Sequence, residues 1–139
     1  LYGGEPSVIK ETIMKGRNGQ MPPMGAALGA DSDVENVAHY VRSLSGLTAD
    51  PVKVAFGKPK FGACAACHGA DGKGNPALGA ANLTDKVWLH GASEASIIET
   101  IGKGRTSMMP AHKELLGEAR VKLLAAYVYG LGGGTPAGK

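Results

Sequence analysis

Aromatic residues are scarce, at 5% of 139 residues, and Gly is abundant at 22. Apolar residues reach 43%, enough for a packed core, yet the core lacks the large rings that usually fill one of this size. A large apolar cofactor would supply the missing bulk. There is no run of about 20 apolar residues, so no segment is expected to span a membrane. The formal charge is +3, and Lys and Arg are scattered rather than blocked. That pattern gives no reason to expect nucleic acid. A charged-then-apolar leader is missing, as is an initiator Met, so the chain is expected to be a mature or excised piece. Only two Cys are present, which rules out a disulfide scaffold.

What the chain does contain is a repeat. Aligned without gaps, residues 1–22 and 89–110 are identical at half of their positions. The matches include Ile9 with Ile97, Thr12 with Thr100, Ile13 with Ile101, Gly16-Arg17 with Gly104-Arg105, and Met21-Pro22 with Met109-Pro110. After a one-residue deletion, Ala38, Tyr40, Val41 and Leu44 match Ala125, Tyr127, Val128 and Leu131. The segment 64–68, CAACH, has no counterpart before residue 1. Repeats set architecture, so we expect one whole domain over 58–139, a linker over 47–57, and the back half of a related domain over 1–46.

Local signals point to helices and to no strand. Pro6 suits the first turn of a helix that presents Ile9 and Ile13 and ends at Gly16. Ser32-x-x-Glu35 reads as a capping box ahead of the stripe Val34, Val37, Ala38, Val41 and Leu44. A short helix is expected from about Lys58 into CAACH, with Pro59 in its first turn. Residues 69–86 read as a long loop. Ser93 is expected to cap a helix presenting Ile97, Ile98 and Ile101. The last helix should run from about Glu118 to Tyr129, with Val121, Leu124, Ala125 and Val128 inward and Gly130, Gly132, Gly133 and Gly134 stopping it.

Cys64 and Cys67 stand one helical turn apart, and His68 follows directly. Two thiols on one face and an adjacent imidazole are what covalent haem c attachment needs. A zinc site would want a second ligand pair, a redox dithiol would want a βαβ setting, and a disulfide here would close a tiny loop for little gain. A haem iron held by His68 needs a ligand on its other face. Met109 is the expected one, because Pro110 stiffens its loop and the Met-Pro pair recurs. Met108 faces Gln20 in the repeat and is expected to be packing. His90 and His112 are the bis-His alternatives, with His112 expected at the surface; His39 falls on the polar side of its helix and is expected in solvent.

From about residue 58 to 133 the chain resembles a class I cytochrome c, on Cys64–Gly69, the Gly-rich loop, Asn82-Leu83, the middle helix, Met109-Pro110 and a last helix carrying an aromatic residue. The resemblance implies an all-α fold wrapped round one covalent haem c. It also implies that the Pro76 carbonyl meets the His68 ring N–H and that Trp88 and Arg105 lie near the haem propionates. More narrowly, WLHG, IGKGR and MMPAH make the chain similar to the dihaem subunit III of cbb3-type cytochrome c oxidases. That family implies a membrane-anchored parent with two haem domains facing the periplasm. Residues 1–46 then correspond to the second half of the first haem domain, with Met21 as its ligand. The function implied is one-electron transfer within an oxidase, without catalysis by this chain alone. The implied partners are a donor cytochrome c or quinol-oxidising complex and the other oxidase subunits. A soluble dihaem shuttle or a dehydrogenase-associated cytochrome is the alternative, and a haem peroxidase or gas sensor a more distant one. Because the halves are homologous, residues 1–46 are also able to pack where 89–133 would, on their own chain or in an exchanged dimer.

Overall fold

The computed structural model describes residues 4–132. Its elements are α1 (Pro6–Lys15), β1 (Arg17–Met21), α2 (Gly25–Leu28), α3 (Asp31–Leu44), α4 (Pro51–Lys60), α5 (Gly62–His68), a 3-10 turn at Pro76–Leu78, α6 (Glu94–Lys103), β2 (Arg105–Met109) and α7 (Lys113–Leu131). The strands were not expected. RNGQM and RTSMM show no alternation of apolar and polar residues, and what makes them strands is pairing of one repeat with the other in a two-stranded sheet.

The chain forms two compact units, and they are not the two stretches that the repeat suggests. One is continuous, Gln20–Thr106; the other joins Leu1–Gly19 to Ser107–Lys139. The continuous unit therefore begins with the Met loop and last helix of the first repeat and continues into CAACH and the middle helix of the second.

In the continuous unit α3 packs on α4 and α6. Val34, Val37, Ala38 and Val41 form its buried stripe, and Val37 is fully inaccessible. Burying side chains of this size stabilises by roughly 1.5–3 kcal/mol each. They meet Leu28, Phe61, Cys64, Ile97 and Ile101 in one core. The α3–α4 crossing is close because Gly57 has no side chain: a Cβ there would collide with the backbone of Asn36. One turn on, Phe61 is 3% exposed and meets Tyr40 edge-on, with ring centroids 5.1 Å apart and planes at 62°.

Several local expectations change for physical reasons. Asp50-Pro51 does not mark a linker. The Asp50 carboxylate accepts from Val52 N–H (2.8 Å) and Lys53 N–H (3.3 Å), and Pro51 takes the first helical position, so α4 starts inside the expected 47–57 linker. Pro59 then falls at the end of α4 instead of its beginning. At α3 the Ser32–Glu35 box is not formed; the Asp33 carboxylate accepts from Ala30 N–H at 3.2 Å. His39 is not in solvent but 6% exposed. Its Nδ1 accepts from Asp50 N–H (3.0 Å), and its Nε2 lies 3.1 Å from Glu94 Oε1 without forming a hydrogen bond. The polar side of α3 is thus covered by the starts of α4 and α6. Ser93 caps α6 as expected, accepting from Ser96 N–H at 3.2 Å.

In the two-segment unit α1 packs on α7. Ile13, Val121 and Ala125 are buried, flanked by Ile9, Met14 and Leu116, and Lys10 pairs with Glu118 at 3.2 Å. A short helical piece from Lys113 ends at Gly117, whose φ of 71° leaves the helical region, and the last helix follows it from Glu118, as expected. Leu124 and Val128, expected inward, are exposed, as are Leu115, Leu123 and Leu131. Gly133 and Gly134 lie outside the described residues. Tyr127, the repeat mate of Tyr40, is 66% exposed, so α7 has no counterpart of the α4 cover within its unit.

The α3–α4 crossing leads to a direct expectation. Gly57→Ala forces the two backbones apart and should destabilise the chain by about 1–3 kcal/mol, the usual cost of overpacking. The urea midpoint measures it; an unchanged midpoint would mean that the crossing is not as close as described.

Candidate cofactor site

The sequence GACAACH forms α5, about two turns of helix that follows α4 with only Phe61 between them. Helical spacing puts Cys64 and Cys67 on neighbouring turns of one face. Cys64 is buried in the core of the continuous unit and Cys67 is exposed; neither is in a disulfide. Burial, and secondarily the neighbouring Cys67, pushes the Cys64 thiol above its usual range.

His68 ends α5 and is buried. Its Nδ1 lies 2.9 Å from the Ala81 carbonyl oxygen. A carbonyl only accepts, so Nδ1 carries the proton and Nε2 keeps its lone pair for a metal. The carbonyl expected in this role was that of Pro76. Pro76 instead starts the 3-10 turn, and its oxygen accepts from Gly79 N–H at 3.2 Å. Loop 69–84 is built to present Ala81. Gly74 N–H donates to His68 O and Leu83 N–H to Gly72 O, both at 2.7 Å, and Asn75 and Ala80 form a bridge. Asn82 Oδ1 then accepts from both the N–H and the hydroxyl of Thr84.

Trp88 packs against the same core, and its Nε1 is buried with no hydrogen-bond partner. A buried donor without an acceptor costs free energy, and a carboxylate of a bound group would remove that cost. Arg105, the other side chain expected beside propionates, is engaged elsewhere. Its Nε donates to Thr100 Oγ1 (2.9 Å), and its Nη2 lies 3.3 Å from Glu99 Oε2.

The two Met-Pro loops fall in different units. Met21 is partly buried against the core that contains Cys64, Phe61 and Ile101. Met109 belongs to the two-segment unit and is 38% exposed, beside a cavity of about 230 Å³ lined by Gly16, Arg17, Asn18 and Met108. Of the expected site residues, Cys64, Cys67, His68, Pro76, Trp88, Arg105 and Met21 belong to the continuous unit and Met109 to the other; Met21 and Trp88 pack against the core that contains Cys64. Ala81 was missed because a backbone acceptor carries no sequence signal. His112 is not the simple surface residue expected: its Nδ1 is buried without a partner.

The sequence profile described as cytochrome c oxidase, cbb3-type, subunit III matches residues 53–128. Among curated proteins, the chain is 52% identical to the cbb3-type cytochrome c oxidase subunit CcoP of Rubrivivax gelatinosus, over 94% of this chain and 43% of that protein. It is 45% identical to the subunit FixP of Bradyrhizobium diazoefficiens, over 96% of this chain and 50% of that one. For the subunit CcoP of Cereibacter sphaeroides the identity is 39%, with the same coverage. The chain spans about half the length of the curated relatives it matches.

The asymmetry of the thiols is testable in the apoprotein. At neutral pH an alkylating reagent should modify Cys67 well before Cys64, since Cys64 is buried and its thiolate is disfavoured. Peptide mass mapping against time checks this; equal rates would contradict the burial of Cys64.

Proposed function

Because this chain belongs to the cbb3-type cytochrome c oxidase subunit III family, we propose that its continuous unit is a haem c electron-transfer domain whose iron is held by His68 and Met21. The observation that carries the ligand assignment is the position of the Met21 loop. It packs in the unit that contains CAACH, whereas Met109 packs in the other.

The residues present fit the group. Cys64 and Cys67 offer two free thiols for the vinyl groups, and His68 offers Nε2 with its tautomer fixed by Ala81. Trp88 Nε1 offers a donor to a propionate. Bound there, a haem c supplies a one-electron couple. The rest is done by the protein. A thioether from Met21 favours the reduced state and raises the potential relative to a second imidazole. The core around Phe61, Ile97 and Ile101 excludes water, which leaves little polar medium to reorganise when the charge changes.

In the wider reading, this domain is a periplasmic relay of the oxidase. It takes electrons one at a time from a donor cytochrome c or a quinol-oxidising complex and passes them towards the oxygen-reducing subunit. The chain binds one haem and is not an oxygen-reducing enzyme by itself. Met109 lies in a unit with no Cys-x-x-Cys-His among its described residues, and in this reading the ligand role falls to Met21.

Two substitutions test the assignment. Met21→Ala should abolish the thioether-to-iron charge-transfer band of the ferric protein, lower the midpoint potential and open the ferrous iron to carbon monoxide. Met109→Ala should leave all three as in wild type. The reverse pattern would return the ligand role to Met109, and rapid carbon monoxide binding by the wild type would favour a sensor or peroxidase.

A further inference from the structure

Haem attachment leaves one feature of the sequence unused: Gly-Arg stands ahead of Met-Pro in both repeats. We propose that the end of α6 and its exit into β2, from Ile101 to Arg105, is the platform that aims the Met21 thioether, which makes Gly104 a positioning residue for ligation. This rests on the reading of Met21 as the ligand.

The platform touches the Met21 loop at three places, all within the continuous unit. Met24 N–H donates to the Ile101 carbonyl at 2.9 Å. A Cβ on Gly25 would lie 3.3 Å from Gly102 O. A Cβ on Gly104 would collide with the Met21 carbonyl oxygen and stand 2.7 Å from Pro23 N. Gly104 has φ 72° and ψ −177°, a region that side-chain-bearing residues avoid, so only glycine both turns the chain and admits the loop. Arg105 keeps the turn in place. Its Nε donates to Thr100 Oγ1, and that hydroxyl donates to Ser96 O at 2.8 Å, which ties the residue after Gly104 back along α6. Pro22 and Pro23 restrict the loop from the other side by fixing φ at two successive residues.

The two-segment unit repeats the device. His112 N–H donates to the Ile13 carbonyl at 3.0 Å. Gly16, at φ 70° and ψ −173°, leaves no room for a Cβ beside the Met109 carbonyl, and Arg17 Nε donates to Thr12 Oγ1 at 2.7 Å. Ile13, Gly16, Arg17 and Met109 occupy the places of Ile101, Gly104, Arg105 and Met21. Each Gly-Arg therefore supports the Met-Pro loop of the other repeat.

The test uses the full-length holoprotein and compares Gly104→Ala, Thr100→Val and Gly16→Ala with Met21→Ala. The readouts are the intensity of the thioether-to-iron charge-transfer band, the pH at which it is lost on alkaline titration, and the midpoint potential. Gly104→Ala should lose most of the band at neutral pH and show a lowered potential. Thr100→Val, which removes the hydroxyl that links Arg105 to Ser96 O and leaves Gly104 in place, should keep the band at neutral pH and lose it at a lower pH than wild type. Gly16→Ala should leave the His68 iron as in wild type. If Met21→Ala removes the band while Gly104→Ala and Thr100→Val match wild type, the platform is overturned and the ligand stands. If Met21→Ala keeps the band, the ligand reading falls and the platform with it. Loss of the band in Gly16→Ala alone would also overturn the proposal. Should Gly104→Ala fail to fold, Thr100→Val decides by the same readouts.

Discussion

The backbone-to-backbone crossing of α3 and α4 at Gly57 is the contact on which the arrangement depends. It lets Val37 and Ala38 reach the floor of the core and brings Tyr40 onto Phe61, three residues before Cys64. Two ion pairs, Lys53 with Glu35 and Lys60 with Asp33, lie along the same pair of helices at 3.1 Å. They are partly exposed and contribute little beside the apolar contact. His39 adds a polar tie by accepting from the first N–H ahead of α4. Because α3 makes this crossing, the helix that closes the core over CAACH comes from the first repeat. The Met-Pro loop that precedes α3 in sequence comes with it.

That exchange turns an internal repeat into a functional constraint. Homologous helices have similar apolar stripes, so either α3 or α7 has the pattern to cover α4 and α6. Chain connectivity favours α3, since only a short segment, 45–50, separates it from the start of α4. Closing a short loop costs less entropy than closing a long one. The same reasoning explains why α7 is left with exposed Leu123, Tyr127 and Leu131 while α3 buries the equivalent side.

Much of this was legible in the sequence. The spacing of Cys64, Cys67 and His68 pointed to the family, because covalent haem attachment dictates that spacing. The stripes of α3 and α6 were readable from their period, and the repeat itself announced that exchange was open. What the sequence hid was anything decided by a partner. The strands exist only through their mutual pairing, and His39 is buried only because α4 and α6 start beside it. The proposed choice between two equivalent methionines turns on which helix covers which core, and both Met-Pro loops read alike. Pro76 and Arg105 were assigned by resemblance; a turn hydrogen bond takes the first and a helix clamp the second.

The claim that the His68 iron is completed by the first repeat is tested most directly by NMR of the ferrous holoprotein with its five methionines labelled at the methyl group. A methionine methyl held against a haem iron lies within the ring current and moves far outside the usual methyl region. The account predicts one such shifted methyl, assigned to Met21, with Met14, Met24, Met108 and Met109 in the ordinary range. A shifted signal assigned to Met109, with Met21 ordinary, would contradict it.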